Sequence, residues 1–285
     1  MNGNSTRFEG RRVLVTGGAR GLGAAIAACF VAAGARVAVW DAPAPMELGY
    51  PLAGSAELDG ARAAVGPTGH VAAVDVRDVA QVRAAVPATV AALGGGLDVV
   101  VCAAGVRTAA TAATMSDAAW DAVVDTNLHG TYHVLRESLV HLEESGRGRI
   151  VVVAAEEGRR GAFGLSHYAA AAWGQIGLAK SLAHEVAGHG IAVGVVCPGV
   201  MDTAMSDDPS YWAVLQAGRD GSQAVTGPDR AAAEHALRVR HPSSTTYVDV
   251  DAVVRAVEQL VAEPGLDRTG AVVDVSAGLA ATNTA

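Results

Sequence analysis

A chain of 285 residues with 51% hydrophobic and 4% aromatic residues can bury a large core, and that core must be built from Ala, Val and Leu. A formal net charge of −8 excludes a broadly basic face, and with it a nucleic-acid or anionic-membrane partner. Three cysteines, Cys29, Cys102 and Cys197, lie in apolar runs; they read as reduced core thiols of a cytoplasmic protein, and no spacing suggests a metal site.

Residues 1–10 are polar and lack the apolar centre of a signal peptide, so they are expected to be a disordered tail. No uncharged apolar run reaches the roughly 18–20 residues of a membrane span. Residues 11–280 then read as one domain. A short buried strand, 11–16, leads through Thr16-Gly17-Gly18-Ala19-Arg20-Gly21-Leu22-Gly23 into a small-residue helix, 21–33, closed by Gly34. A second strand, 36–40, ends at Asp41. Further strands are expected at 70–75, 97–103, 149–154, 191–197 and 271–275. Helices are expected at 79–93, 117–144, 166–188 and 248–262. Strand–helix alternation with continuous apolar strands predicts an α/β fold: a single-domain, Rossmann-type, doubly wound parallel sheet with helices on both faces. Two stretches break the rhythm, a proline-rich insertion at 42–58 and a polar segment at 204–246. Long excursions at the carboxyl edge of such a sheet are often binding loops.

The glycine stretch sits between a strand and a helix. Its glycines allow a tight turn and let backbone N–H groups and the helix N-terminus face a pyrophosphate. Asp41 closes the next strand, where a carboxylate can accept hydrogen bonds from an adenosine ribose and would repel a 2′-phosphate. Arg20 pulls the other way. Asp41 outweighs it, and NAD is the expected cofactor.

From end to end the chain resembles the short-chain dehydrogenase/reductase family. Thr16–Gly23 matches its TGxxxGxG, so Gly17, Arg20, Gly21, Leu22 and Gly23 are expected to cradle the cofactor together with Asp41. Asp75-Val76 matches the pair that contacts adenine. Ala103-Ala104-Gly105 stands at the family's N-A-G, Asn127 at its helix asparagine, and Thr269-Gly270 through Gly278 near its closing TG…DGG. Pro198-Gly199-Val200-Met201-Asp202-Thr203 matches the PGxxxT that frames the nicotinamide. The insertion, with Tyr50-Pro51-Leu52-Ala53, is similar to that of the mycofactocin-associated branch, which includes carveol-dehydrogenase-like enzymes and holds NAD tightly. The resemblance also implies a homodimer or homotetramer packed through the helices 117–144 and 166–188, and a small-molecule substrate.

The family's chemistry uses Ser, Tyr, Lys and Asn. Tyr is the general acid/base, Ser orients the substrate oxygen, Lys depresses the tyrosine pKa, and Asn supports a relay water. Here Tyr168 is present, but four residues on stands Ala172, and thirteen residues back stands Ala155. The nearest lysine, Lys180, lies three helical turns away. With no ammonium beside it, a phenol of ordinary pKa near 10 is ionised only about one part in a thousand at pH 7. Other groups are candidates to substitute. Period-two alternation puts Glu157 on the face of Ala155 and turns Glu156 away. His167 adjoins Tyr168. His129 is expected on the helix surface, two residues from Asn127. Arg159 and Arg160 are expected to pair with the two glutamates.

Three readings stay open at this point. The chain is an NAD-dependent oxidoreductase of an alcohol or ketone with altered proton machinery. Or it is a repurposed non-redox enzyme performing a cyclisation, elimination or rearrangement with structural or no NAD. Or it is a non-catalytic partner subunit.

Overall fold

A computed structural model describes residues 6–43, 46, 48–217, 227–263 and 265–279. Seven parallel strands form one sheet: β1 (Arg12–Thr16), β2 (Arg36–Asp41), β3 (His70–Ala73), β4 (Val99–Cys102), β5 (Arg149–Val153), β6 (Ala192–Pro198) and β7 (Ala271–Val275). Their order is β3-β2-β1-β4-β5-β6-β7, so the chain reverses its winding between β1 and β4. That switch point is where an open α/β sheet leaves a crevice at its carboxyl edge.

The period of two sorts the strand residues into two cores. Leu14, Trp40, Val100, Ile150 and Val195 face α3 (Val79–Ala92), α5 (Gly130–Ser145) and α6 (Ser166–Val186). Val13, Val39, Val101 and Val196 face α1 (Gly21–Ala32), α2 (Ser55–Val65) and α9 (Val250–Ala262). Both faces are covered, as the continuous apolar strands require. Trp40, fully buried, satisfies its indole N–H on Thr89 Oγ1 at 2.9 Å. Cys102 and Cys197 are buried free thiols, pushed up to about 12 by burial, and so unreactive.

Four expectations are revised. The tail is shorter than 1–10, because Phe8 is buried against Phe30 with ring centroids 5.0 Å apart; one apolar residue among polar neighbours was enough to dock that turn. Residues 1–5 lie outside the described residues. The insertion ends before 58, since α2 starts at Ser55, where Glu57 caps Gly54 N–H at 2.8 Å. The helix expected over 117–144 is two, α4 (Asp117–Val123) and α5, joined by a π-helical turn, Val124–His129. The 204–246 segment carries α7 (Pro209–Gln216) and α8 (Arg230–Arg240), each started by an aspartate cap, Asp208 and Asp229. Positions 218–226 and 280 of the expected boundaries lie outside the described residues.

Among the described residues no helix is long and apolar enough to cross a membrane, and no acidic, His or Cys cluster could hold a metal ion.

At the amino edge of the sheet, fully buried Asp98 ties β1 to β4. It accepts from the backbone N–H and guanidinium of Arg12 and from the Arg147 guanidinium, at 2.9–3.0 Å for the shortest contacts. Burial alone would raise this carboxyl, but the two arginines overcome it and hold the pKa at about 2. The native value lies below the unfolded one, so the carboxylate stabilises the fold above about pH 4 and the contribution fades as pH falls towards 2. Asp98→Asn should therefore lose about 2 kcal/mol in urea unfolding near pH 7. The gap to wild type should narrow near pH 3; an equal gap at both pH values would assign the loss to something other than this charge.

Candidate active site

Above the switch point lies a cleft of about 460 Å³. Its floor is the glycine turn. Gly17 has φ +65°, and a Cβ there would lie 2.7 Å from the Ala104 Cα; a Cβ on Gly23 would lie 2.1 Å from the Gly17 carbonyl oxygen. Only glycine lets β1, β4 and α1 approach this closely. Thr16 closes the same junction, its Oγ1 accepting from the N–H groups of Ala103 and Ala104 at 3.2 Å. No side chain caps α1 at Arg20, so among the described residues no side chain covers the first-turn N–H groups where the helix meets the cleft. That is the environment a pyrophosphate requires. Gly17, Arg20, Gly21, Leu22, Gly23, Asp41, Asp75, Val76, Ala104, Gly105, Pro198, Gly199 and Thr203 all line this one cleft, so the structure brings the whole expected cofactor set together.

The acidic residues expected to face an adenosine are held in place. Asp41 accepts from Ala19 N–H at 3.0 Å and Ala42 N–H at 2.9 Å, while burial pushes its pKa upward. Asp75 is paired with Arg77 at 2.6 Å; burial would raise it, and the arginine more than reverses that. Val76 is anchored through its carbonyl, which accepts from His133 Nδ1 at 3.0 Å. Arg20 turns out of the turn: it donates to the Pro51 carbonyl and lies 5.9 Å from the Tyr50 ring. It thereby fastens the insertion to the glycine turn.

The two long excursions form the cover. Met46 and Leu52 line the cleft and pack with Leu48 near Val106 and Tyr168. Gly49 touches Asp208 so closely that a Cβ would fall 2.2 Å from its carboxylate. Tyr50 is buried and accepts from the Arg107 N–H at 2.9 Å. The insertion and the segment after β6 therefore meet over the crevice.

At the other end stands the chemistry. Tyr168, Ala172 and Gln175 of α6 line the cleft at spacings of four and three residues, one face of a helix. Ala155 and Glu157 also line it, but β5 ends at Val153 and Glu157 sits in a 3-10 turn, Glu156–Gly158, so that turn and not strand alternation sets its direction. Glu157 is 4% exposed, and burial pushes its pKa up against the pull of Arg107 and Arg160. Burial, reinforced by Glu157, also pushes Tyr168 well up, so it is a firmly protonated phenol. Glu156 does not line the cleft and pairs with Arg160 at 2.8 Å; burial and the neighbouring Glu157 push its pKa up. Arg159 pairs with Asp274 at 3.2 Å.

Two other expectations change. His167 does not line the cleft. One residue before Tyr168 is a turn of about 100° on a helix, and it carries the ring into the core, fully buried, with Nε2 2.6 Å from Thr108 Oγ1. Burial lowers its pKa, so it stays neutral. Asn127 lines the cleft, but both ends of its amide are engaged by Val106: Oδ1 accepts from N–H at 2.8 Å and Nδ2 donates to C=O at 2.9 Å. Its carbonyl accepts from Thr131 Oγ1 at 2.6 Å, which in turn accepts from Gln175 Nε2 at 3.1 Å. Asn127 thus ties its helix to the Val106 backbone, with one amide N–H and one lone pair of Oδ1 left over on the cleft side. His129 is on the surface beside Asp125, as expected.

Sequence reasoning missed Gln175 and Arg107. Gln175 was findable as the third member of the Tyr168 helix face. Arg107, five residues past the end of β4, carries no motif, and its partners come from distant segments.

A model of the short chain dehydrogenase family matches residues 11–212. The chain is 38% identical over 208 residues to a 2-dehydro-3-deoxy-L-rhamnonate dehydrogenase (NAD(+)) of Sphingomonas sp. (strain SKA58), covering 70% of this chain and 76% of that protein. It is 32% identical over 278 residues to (-)-trans-carveol dehydrogenase of Rhodococcus erythropolis, covering 95% and 98%. The structure resembles that of a carveol dehydrogenase from Mycobacterium avium in complex with NAD, with a TM-score of 0.86, 29% identity, and coverage of 96% and 99%. Solved relatives hold NAD or NADP. The glycine cradle, the parallel sheet and these likenesses make the chain a member of the short-chain dehydrogenase/reductase family of oxidoreductases.

Proposed function

We propose that the protein is an NAD-dependent oxidoreductase of a small alcohol or carbonyl compound, working without the family's Ser and Lys. The observation that carries this reading is continuity: one cleft runs from the uncapped α1 N-terminus to Tyr168, with Ala155 and Ala172 in its wall. A dinucleotide bound there supplies or accepts a hydride through its nicotinamide ring. Preference for NAD rests on Asp41 beside the cradle and on Arg20 being drawn away to Pro51. The covered insertion supports membership of the branch that retains NAD tightly, the mycofactocin-associated one.

In carbonyl reduction, Tyr168 donates the phenolic proton to the substrate oxygen. Glu157, buried on the same cleft and held towards its protonated form, is the group that returns a proton to Tyr168. Ala172 brings no ammonium, so in the reverse direction the phenol ionises only at high pH. Asn127 keeps the Val106 backbone, and with it the wall facing Tyr168, in register. The exposed aromatic side chains Tyr132 on α5 and Trp173 on α6 support assembly into a homodimer or homotetramer through that face. The two alanines also favour a second reading, in which NAD is held as a structural group and the pocket does non-redox chemistry.

Titration with both dinucleotides tests the first step. Wild type should bind NAD at least tenfold tighter than NADP, and Asp41→Ala should shrink that ratio towards one; an unchanged ratio would remove Asp41 from the account. NADH formation from a panel of secondary alcohols and hydroxy acids tests the second. The wild-type rate should be low near pH 7 and rise about tenfold per pH unit through pH 9. The double variant Ala155→Ser with Ala172→Lys should gain on the order of 100-fold near pH 7. Bound NAD with no hydride transfer in either protein would favour the non-redox reading.

A further inference from the structure

Arg107 is 4% exposed and lines the cleft, yet its guanidinium has little to answer its charge. Nη2 donates to the Met205 carbonyl at 2.8 Å, and the Tyr211 ring lies 3.5 Å from its central carbon. Nε is buried with no acceptor, and among the described residues Arg107 forms no ion pair. A guanidinium carries five N–H donors. One carbonyl and a ring face do not replace the water and counter-ion it has lost.

The surroundings show that the cation is held there on purpose. Three separate segments fix it: the loop after β4 carries it, Tyr50 of the insertion binds its backbone N–H, and Met205 and Tyr211 of the segment after β6 hold its head. Burial disfavours the cation, and Tyr211, Tyr168 and Glu157 more than offset this through space, but Glu157 does not reach Arg107 as an ion pair and burial favours its neutral form. The cofactor phosphates do not serve either. Their cradle is the α1 N-terminus, whereas Met205 and Ser206 wall the cleft beside the Arg107 head. An anion entering with the substrate is what remains to match it, and a planar carboxylate fits the guanidinium fork with two parallel hydrogen bonds.

We propose that Arg107 is the anchor for a substrate carboxylate, so that the cleft takes small hydroxy or oxo carboxylic acids in preference to neutral alcohols and ketones. The inference rests on the substrate-pocket reading of the cleft and goes beyond it by naming the substrate's charge. The hydroxyl or carbonyl to be transformed would then sit towards Tyr168, with the acid group held at Arg107.

Acetate and acetamide, equal in size and different in charge, test the anchor directly. NAD-loaded protein with ¹⁵N-labelled arginine is titrated with each at constant ionic strength, and arginine Nε–H resonances are followed. One resonance, absent in Arg107→Met and in Arg107→Lys, should shift saturably with acetate and not with acetamide. Acetate affinity, read by thermal shift, should fall at least tenfold in Arg107→Met and partly recover in Arg107→Lys, with NAD content unchanged in both. No saturable acetate response, or an equal response to acetamide, would overturn the proposal. The readout is binding and not turnover. Acetate binding without hydride transfer would therefore count against the redox reading alone, and hydride transfer without acetate binding against the anchor alone.

Discussion

Every feature of the site depends on backbone segments meeting with no side chain between them. Gly17 lies against Ala104, and Gly23 against the Gly17 carbonyl, at separations that a Cβ would abolish. Because they meet, the first turn of α1 reaches the crevice between β1 and β4 with no side chain of the described residues capping its N–H groups. Because Thr16 ties both strand ends together, the Ala103–Gly105 wall is fixed relative to the glycine turn. Arg107 leaves β4 only a few residues later. Its position is thus inherited from the same close packing that shapes the glycine turn.

The electrostatics of the pocket differ from what that turn leads one to expect. The family places its cation on the helix, one turn after the tyrosine, where it lowers the phenol pKa. Here that position is Ala172, and the cation of the pocket is Arg107, which comes from the loop after β4 and is held by the two covering excursions. Its influence on Tyr168 is outweighed by burial and Glu157. The outcome is a cleft with a protonated phenol, a carboxyl group favouring its neutral form and an unmatched guanidinium. Such a set suits proton donation and anion capture better than proton abstraction.

Much of this was legible in the residues. Strand periodicity and the Thr16–Gly23 spacing are local signals, and they located the sheet, the cradle and Asp41. Glu157 does line the cleft, but through the 3-10 turn Glu156–Gly158 that follows β5 and not through the strand alternation used to expect it. The misses came where a long-range contact decides. His167 adjoins Tyr168 in sequence, but the helix turns it into the core. Asn127 matches a motif, yet its amide is tied at both ends to Val106, a partner 21 positions away in the chain. Phe8 looked like part of a tail because its partner, Phe30, lies on a helix beyond the first strand. Arg107 carries no motif at all; its meaning arises only when Tyr50, Met205 and Tyr211 close around it.

The central claim is that the proton-carrying tyrosine works without a cation able to ionise it. The measurement that bears on it most directly is a pH titration of NAD-loaded protein labelled with ¹³C at the tyrosine Cζ, with the Tyr168 resonance assigned by its loss in Tyr168→Phe. The account predicts that this resonance keeps its phenol shift through pH 10, while exposed tyrosines begin to titrate. A Tyr168 signal that moves to the phenolate position between pH 6 and 8 would contradict it.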